Sequence, residues 1–195
     1  MPRVSQEHSE ARRQQILAGG RRCFSANGFH ATSMQDLLNE IGLSAGAFYR
    51  YFPGKDELIR TIATESLDDV TDSLAAHLQQ HDAPLPELLA SLPTAPIRTL
   101  HDPELARLIV QVWTEAMRDD ALSDVVRAGL QRLNALLAAE LTTRQRDGEL
   151  PPDADPAACA RVILATLQGF ILQRAAFRVD EPQVFASGLG MMFRG

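Results

Sequence analysis

Apolar side chains recur at spacings of three and four residues through almost the whole chain, which is the period of an amphipathic α-helix. Met34, Leu37, Leu38 and Ile41 follow the pattern i, i+3, i+4, i+7. No segment shows the regular alternation of apolar and polar residues that marks a half-buried β-strand. Because 45% of the residues are hydrophobic, the chain can build a substantial core. The sequence therefore predicts an all-α protein with about nine helices.

Capping residues and helix breakers predict where these helices begin and end. Ser9 and Ser44 suit the N-cap positions of the first and third helices, and Ser123 suits that of a later one. Ser33 with Asp36 resembles a capping box at the start of the second helix. The predicted helices cover about residues 9–26, 33–41, 45–52, 55–81, 103–118, 123 to a loop at 148–156, 156–178 and 182–193, with short pieces between 82 and 101.

The turn Gly42-Leu43-Ser44 joins two short predicted helices. A short turn that contains glycine sets two helices at a steep angle, as in a helix-turn-helix. Residues 1–55 are therefore predicted to form a three-helix DNA-binding domain, and residues 56–195 a second, larger helical domain.

The third helix presents different faces when its side chains are placed about 100° apart. Phe48 and Phe52 share an inner face. The outer face is thin and carries one arginine, and a tyrosine lies on each flank (Gly46, Ala47 and Arg50; Tyr49 and Tyr51). A helix in the major groove needs apolar anchors behind it, a thin front, and hydroxyls that reach phosphates on either side.

The charge distribution agrees with a DNA-binding head, although the net charge is −6. Residues 1–55 carry seven basic and four acidic side chains, whereas the remainder carries 12 basic and 21 acidic ones. A basic head on an acidic body can bind DNA because binding depends on the local field near the phosphates. The alternative is that the charges are unevenly distributed by chance, so the charge distribution supports the prediction of DNA binding but is not sufficient for it.

Lys55 is the single lysine among nineteen basic residues, and it stands at a predicted helix N-terminus. A cation there opposes the helix dipole, so local stability does not favour it. A phosphate docked on the free backbone amides would reverse that sign. The alternative is a solvated surface lysine.

The stretch from Arg13 to Leu58 resembles the DNA-binding domain of the tetracycline-repressor (TetR) family. The resemblance covers about a quarter of the chain and rests on the spacing of Ile16-Leu17, Phe24, Gly28, Thr32-Ser33, Gly42, Ser44-Ala45-Gly46, Tyr49, Tyr51-Phe52 and Lys55. The chain length and the divergent helical remainder are also similar to that family. The resemblance implies a ligand-responsive regulator, and most simply a repressor, that is released from an operator by a small-molecule effector and needs no cofactor.

By resemblance, one set of residues contacts DNA phosphates and another faces the bases (Thr32, Tyr49, Tyr51 and Lys55; Ala45, Gly46, Ala47 and Arg50). Two features depart from the family pattern. Gly19-Gly20 stands where small alanines are usual, and Ala45 and Ala47 leave the recognition helix almost without hydrogen-bonding side chains. We therefore expect Arg50 to supply the main polar base contact, to guanine.

Two other classes of protein, a serine hydrolase and a helical adaptor, are alternatives to a regulator. Gly42 to Gly46 satisfies G-x-S-x-G, but a serine-hydrolase elbow needs a strand before the serine, and a helix is predicted there. His77 and His81 have a metal-binding spacing, yet no further ligands complete a set, and solvent-facing histidines are expected. A helical adaptor that binds only protein would leave Tyr49 and Arg50 without a purpose.

The larger domain gives weaker signals for a ligand site. Four residues of one predicted helix are candidates to line a pocket, and the alternative is that they belong to the core and surface of an ordinary amphipathic helix (Gln111, Trp113, Thr114 and Met117). Neither the sequence nor the resemblance names the effector.

The last two helices are predicted to form a symmetric homodimer. Residues 157–177 are apolar on most faces, more than one intramolecular contact can bury. A dimer would place two recognition helices in successive major grooves of a palindromic double-stranded operator. The residues assigned to the interface are Ile163, Leu167, Phe170, Ile171, Phe185 and Leu189.

The predicted fourth helix belongs to both domains, because about 27 residues at 1.5 Å each span roughly 40 Å. It is therefore the expected lever between ligand and DNA. No apolar stretch approaches the ~20 residues of a membrane span, and the polar, arginine-rich start lacks an export signal. Cys23 and Cys159 predict neither a disulfide framework nor a metal site. A cytoplasmic location is expected.

Overall fold

The structure, a computed structural model, describes the backbone of residues 3–192 and the side chains of residues 6–192. These residues form ten α-helices and no β-strand, which confirms the all-α prediction. A 3-10 turn at Leu92–Thr94 follows the fifth helix. The helices are α1 (Arg3–Asn27), α2 (Met34–Ile41), α3 (Ala45–Tyr49), α4 (Lys55–Gln80), α5 (Leu85–Ser91), α6 (Arg98–His101), α7 (Pro103–Ala116), α8 (Asp120–Arg146), α9 (Pro156–Phe177) and α10 (Pro182–Met192).

Two hydrophobic clusters organise the chain. The first cluster contains residues of α1, α2, α3 and the start of α4. Residues of α7 and the beginning of α8 pack against them and complete this core. Leu58, Ile62 and Ala63 belong to this cluster, so the core of the head continues beyond the predicted boundary after residue 55. The second cluster contains the rest of α4 and α5 through α10. Helix α4 is therefore part of both units.

The local signals placed most helix ends correctly. Asp102 caps α7, whose first residue is a proline, and α9 begins at Pro156, both as predicted. Asp155 caps α9, and Asp119, which the sequence did not single out, caps α8. Two predicted caps were wrong, because Ser9 lies inside α1 and Ser123 lies inside α8. In both places the helix begins several residues earlier than predicted.

Close packing explains the two glycines inside α1. A Cβ at Gly19 would lie 2.6 Å from Cγ1 of Ile41, and a Cβ at Gly20 would lie 2.9 Å from Cδ2 of Leu58. The glycines let α2 and α4 approach α1 more closely than an alanine would. This contact offsets the unfavourable helix propensity of roughly 1 kcal/mol per glycine.

We expect Gly19→Ala to lower the free energy of unfolding by about 1–2 kcal/mol relative to Gly20→Ala. Both changes gain the same helix propensity. The Cβ of an alanine at position 19 would contact Cγ1 of Ile41, which lies close to the backbone and can move little. The Cβ of an alanine at position 20 would contact the terminal methyl groups of Leu58 and Ile62, which can move more easily. Urea unfolding of both variants measures the difference. Equal stabilities would show that the head tolerates separation of α1 from α2.

Among the described helices, α9 alone has the length and apolar composition to cross a bilayer, which the sequence reasoning did not anticipate. A helix packed into the bundle of a soluble protein passes the same test. Helix α9 buries Ala160, Ile163 and Leu167 within the protomer. Its remaining apolar surface stays exposed, and this surface is described below.

Candidate nucleic-acid interface and inner cavity

The helix-turn-helix is held by three local features. The Ser33 hydroxyl accepts a hydrogen bond from the Asp36 backbone N–H at 3.1 Å, and the Asp36 carboxylate accepts one from the Ser33 N–H at 3.0 Å. The Ser33 hydroxyl and N–H donate to this carboxylate and lower its pKa. Gly42 is left-handed with φ 72°, and Ser44 caps α3. The capping box, the turn and the Ser44 cap predicted from sequence are confirmed.

Helix α3 presents to solvent the face that the sequence predicted. Phe48 and Phe52 are buried, with ring centroids 6.0 Å apart. The small residues Ala45 and Gly46 are exposed, as are the side chains of Tyr49 and Arg50, while Ala47 and Tyr51 are half-buried. A Cβ at Gly46 would meet nothing within 4 Å, so the protomer itself does not require glycine there. The DNA contacts of these residues remain predictions.

Thr32 does not have the environment expected of a phosphate ligand. The residue is fully buried, and its hydroxyl donates to the carbonyl oxygen of Gly28 at 2.7 Å. The side chain therefore holds the segment between α1 and α2, and we correct its predicted role to a structural one. Its spacing before Ser33 gave no sign of this burial.

Lys55 is also held within the protomer. Its Nζ donates to the carbonyl oxygens of Phe29 at 2.8 Å and Thr32 at 2.9 Å, and it lies 4.4 Å from the centroid of the Phe29 ring. The ammonium group thus satisfies two carbonyls in the segment that precedes α2. This contact explains why a cation stands at the start of α4, and it differs from both sequence-based interpretations, a docked phosphate and a solvated surface lysine.

We expect Lys55→Ala to lower the free energy of unfolding of the DNA-free protein by about 1.5–3 kcal/mol, because it leaves two carbonyls without their charged donor. Chemical denaturation measures this loss. Lys55→Met is the control for packing over Phe29, since it keeps most of the aliphatic chain. Unchanged stability in both variants, with weaker DNA binding at low salt, would restore the role of Lys55 as a phosphate ligand.

Three arginines of the head pair with carboxylates of the protein. Arg13 and Arg21 both bind Glu65 of α4 at 2.8 Å, and Arg22 binds Glu40 at 2.6 Å. The first two pairs fasten α1 to α4. Arg50 makes no salt bridge to any described residue. Its exposed guanidinium is therefore available to an outside partner.

An apolar cavity lies in the second cluster and is lined by residues of α4, α6, α7, α8 and α9. Its volume is about 60 Å³, and Trp113, Leu67 and Val70 contribute to its wall. A water molecule occupies about 30 Å³ in the liquid, so the cavity has room for about two water molecules. Thr99 and Gln168 supply the polar groups of the lining.

Only Trp113 of the four predicted pocket residues lines this cavity. Gln111 lies against Gly28 of the head, where an added Cβ would be 3.3 Å from its Oε1. Thr114 is exposed and donates to the Val110 carbonyl at 2.9 Å, and Met117 lies beyond the end of α7 and is 78% exposed. The other three assignments are corrected: Gln111 is two residues from Trp113 and so points about 200° away from it, whereas Thr114 and Met117 face solvent.

Helix α7 contacts the head on the side opposite Trp113, which the sequence reasoning missed. Glu115 is buried there, and its Oε2 lies 2.9 Å from Nε2 of His30, in the segment between α1 and α2. Glu115 stands two residues from Trp113. One helix therefore connects the cavity wall to the head.

His77 is buried rather than solvent-facing as predicted. Its Nε2 lies 2.7 Å from the Ser91 hydroxyl, and its ring stacks on His81 at 4.0 Å. Burial, followed by the charge of His81, lowers the pKa of His77. The described residues contain no group of three or more potential metal ligands.

The predicted interface residues lie mainly inside the protomer. Five of them are buried, and Phe185 is half-buried with its ring 4.7 Å from that of Phe170 (the five are Ile163, Leu167, Phe170, Ile171 and Leu189). They form the core contact of α9 with its neighbours, so their assignment to a dimer interface is corrected.

A different set of residues forms the exposed apolar surface of the last two helices. Val162 and Leu172 on α9 are 52% and 39% exposed, and Val184 and Met191 on α10 are also exposed. On the outer side of α9, small and apolar residues recur at alternating spacings of four and three. We call them the exposed stripe of α9; all are exposed except Gly169, which is half-buried: Ala158, Val162, Ala165, Gly169, Leu172 and Ala176.

Comparisons with known proteins decide the family. Residues 16–62 match the family described as bacterial regulatory proteins, tetR family, and residues 88–185 match the C-terminal region of BetI-type transcriptional repressors. The chain belongs to the TetR family. The second match covers the larger helical domain, which the sequence resemblance had left as a divergent remainder.

Individual TetR-family proteins are similar over nearly the whole chain. The HTH-type regulator YfiR of Bacillus subtilis is 30% identical, with 96% of this chain and 91% of YfiR covered. The structure of Salmonella enterica GusR is 28% identical, has a TM-score of 0.78, and covers 94% of this chain and 93% of its own. A Saccharomonospora viridis regulator solved with choline shares the fold, at 23% identity and TM-score 0.77, over 94% of this chain and 95% of its own.

Membership of the TetR family makes this chain a DNA-binding transcriptional regulator and not an enzyme. The G-x-S-x-G match is accounted for by helix capping, because the Ser44 hydroxyl accepts from the Ala47 N–H at 3.3 Å. A helix precedes Ser44 where a hydrolase would have a strand.

Proposed function

We propose that this TetR-family regulator acts in the cytoplasm as a homodimeric repressor that binds a palindromic operator and is released by a small molecule. The observation that carries the proposal is the course of α4. Leu58 and Ile62 of this helix lie in the core of the head, whereas Leu67 and Val70 line the inner cavity. Any change in the cavity that tilts α4 therefore moves the head.

The exposed stripe of α9 supports a homodimer. Its residues recur at alternating spacings of four and three, which is the pattern of a helix that packs along another helix. Ala165 and Gly169 would allow the backbones to approach, and Val162 and Leu172 would supply apolar contacts. A two-fold axis would place the stripe of one copy against the same stripe of the other, so that a single interface buries both apolar surfaces.

The inner cavity supports control by a ligand. The S. viridis regulator with the same fold binds choline, so this architecture accommodates small molecules. Release requires a ligand that binds the DNA-free conformer better than the DNA-bound one. A hundredfold loss of operator affinity corresponds to a coupling of about 2.7 kcal/mol, within the usual allosteric range. Helix α7 offers a second connection, through Glu115 and His30.

The test of operator recognition uses Arg50→Ala. An operator is first selected from genomic fragments by gel shift, and half-site variants are then titrated by fluorescence anisotropy. We expect a loss of about 1–3 kcal/mol and a relaxed preference at one base pair per half-site. Tyr49→Phe is the control, because loss of a phosphate contact weakens all sequences alike. A uniform loss in Arg50→Ala would instead place Arg50 on the DNA backbone.

A further inference from the structure

A surface opening lies between α4, α6 and α7, and we call it the mouth. Its volume is about 320 Å³, within the range of roughly 300–1,000 Å³ that is usual for small-molecule sites. The residues that line it belong to α1, α4, α7 and the segment 97–99. None of them belongs to α9 or α10, so the proposed contact between two copies through the exposed stripe does not use these residues.

The mouth and the inner cavity share a wall. Four residues line both spaces, and all are buried except Val70, which is half-buried (Val70, Ile97, Thr99 and Ile109). The inner cavity alone has a volume of about 60 Å³, which is too small for most ligands. A ligand that displaces these side chains from the mouth would join the two spaces into one site beside Trp113.

Helix α6 is the part of this wall that we expect to move. It has only four residues, and no side chain caps its N-terminus, so its own hydrogen bonds stabilise it little. Its other end is held, because the Arg174 guanidinium donates to the carbonyl oxygens of Leu100 and His101. The start of α6, which carries Thr99, can therefore move away from α4 while its end stays in place.

Thr99 carries an unpaired hydroxyl in the shared wall. Eight of the ten threonine hydroxyls donate to a backbone carbonyl, whereas that of Thr99 makes no hydrogen bond to a described residue, although Thr99 is only 5% exposed. Among the described side chains, the buried atoms that are both unpaired and inaccessible are Asn134 Oδ1 and Arg174 Nε. The Thr99 oxygen is not one of them, so a molecule in the adjoining space can reach it. Buried polar groups are almost always paired, and a ligand would supply the missing partner.

The charges around the two spaces favour an uncharged ligand. No charged side chain is among the described residues that line the inner cavity, so an ion buried there would lack a partner. The mouth carries two aspartates and two arginines, so its lining has no net charge (Asp69, Asp72, Arg21 and Arg98). The lining therefore gives no net attraction to a ligand of either sign.

We propose that the effector enters through the mouth and is an uncharged molecule with a compact apolar body and one neutral hydrogen-bonding group. The apolar body displaces the shared wall and reaches Trp113, and the polar group forms a hydrogen bond with the Thr99 hydroxyl. This inference rests on the proposed control by a ligand, and it names the route and the chemical class of that ligand.

Three probes of nearly equal size test the proposal on the full-length protein. They are benzyl alcohol, ethylbenzene, in which a methyl group replaces the hydroxyl, and benzylammonium, in which a charged amine replaces it. Trp113 is the single tryptophan of the chain and lines the cavity, so its fluorescence reports binding there. We expect benzyl alcohol to change this fluorescence saturably at millimolar concentration, and benzylammonium to bind at least about tenfold more weakly.

Thr99→Val tests the hydrogen bond, because it removes the hydroxyl and keeps the shape of the side chain. It should weaken benzyl alcohol about five- to tenfold relative to ethylbenzene, as loss of one neutral hydrogen bond implies. Thr99→Ser is the matched control, which keeps the hydroxyl and should keep the preference of the unmodified protein. Comparing the two ligands within each variant cancels general changes in the cavity, and thermal unfolding confirms that each variant folds.

Two matched substitutions by phenylalanine test the route. Asp69 lines the mouth, and Gln131 lines a groove between α8 and α9 that also borders the inner cavity; both side chains are exposed. Asp69→Phe should weaken benzyl alcohol several-fold, because the added ring occupies part of the mouth. Gln131→Phe should leave its affinity unchanged.

The outcomes separate this site from the proposed function. Equal losses for benzyl alcohol and ethylbenzene in Thr99→Val, benzylammonium that binds as tightly as benzyl alcohol, weaker binding in Gln131→Phe but not in Asp69→Phe, or no saturable change in fluorescence would each overturn the site. Operator binding is measured independently of these titrations. If the probes follow the expected pattern but operator affinity is unchanged at saturation, the site stands and release by this ligand is what fails.

Discussion

Replacing Val162 and Leu172 together by glutamate is expected to convert the regulator into a monomer and to weaken operator binding by about a thousandfold or more, equivalent to roughly 4 kcal/mol. The two side chains lie on the exposed stripe of α9. In a symmetric dimer the double substitution places four carboxylates in an apolar contact, where removing them from water costs more than the contact provides. A monomer then binds one half-site at a time.

Light scattering gives the mass of this variant, and anisotropy with a labelled operator gives its affinity. Ala128→Glu with Ala139→Glu is the matched control. Both alanines are exposed on α8 at a similar spacing, and neither belongs to α9 or its exposed stripe. We expect the control to remain dimeric and to bind the operator normally. A monomeric unmodified protein, or a double variant that stays dimeric, would place the interface on another surface.

Phe48→Ala is expected to lower the stability of the head by about 3–5 kcal/mol and to reduce specific operator binding at least a hundredfold. Helix α3 has only five residues, too few to be stable without tertiary contacts. Phe48 is fully buried beneath it and packs against Phe52, so it fixes the position of the helix. Because the exposed stripe lies on α9, the variant should remain a dimer.

Circular dichroism on heating, light scattering and operator titration together measure these effects. Tyr49→Ala is the control on the neighbouring residue, whose side chain is 52% exposed. It should lose less than about 1 kcal/mol of stability, through its edge contact with the Phe48 ring, and weaken DNA binding alike for all sequences. Near-native operator affinity in Phe48→Ala would show that α3 is positioned without its buried anchor.

The features that sequence reasoning placed correctly depend on contacts within a few residues. The Ser33 capping box, the left-handed Gly42 and the Ser44 cap each join groups no more than four positions apart. The helical period likewise placed Phe48 on the buried face and Arg50 on the exposed face of α3, because the directions of side chains within one short helix follow from its geometry. The caps predicted at Ser9 and Ser123 were wrong because each helix begins several residues before the serine.

By itself, the sequence determined that this protein is all-helical, that its first helices form a helix-turn-helix, and which side chains α3 presents to solvent. Only the tertiary structure decided how the remaining polar groups and apolar faces are used. Thr32 and Lys55 satisfy carbonyls in the segment before α2, and Gln111 faces the head instead of the cavity. The apolar residues of α9 divide into a buried side and an exposed stripe. The physical reason is that the sequence of a helix that is apolar on nearly every side does not indicate which side is buried. That side depends on where the neighbouring helices lie in the tertiary structure.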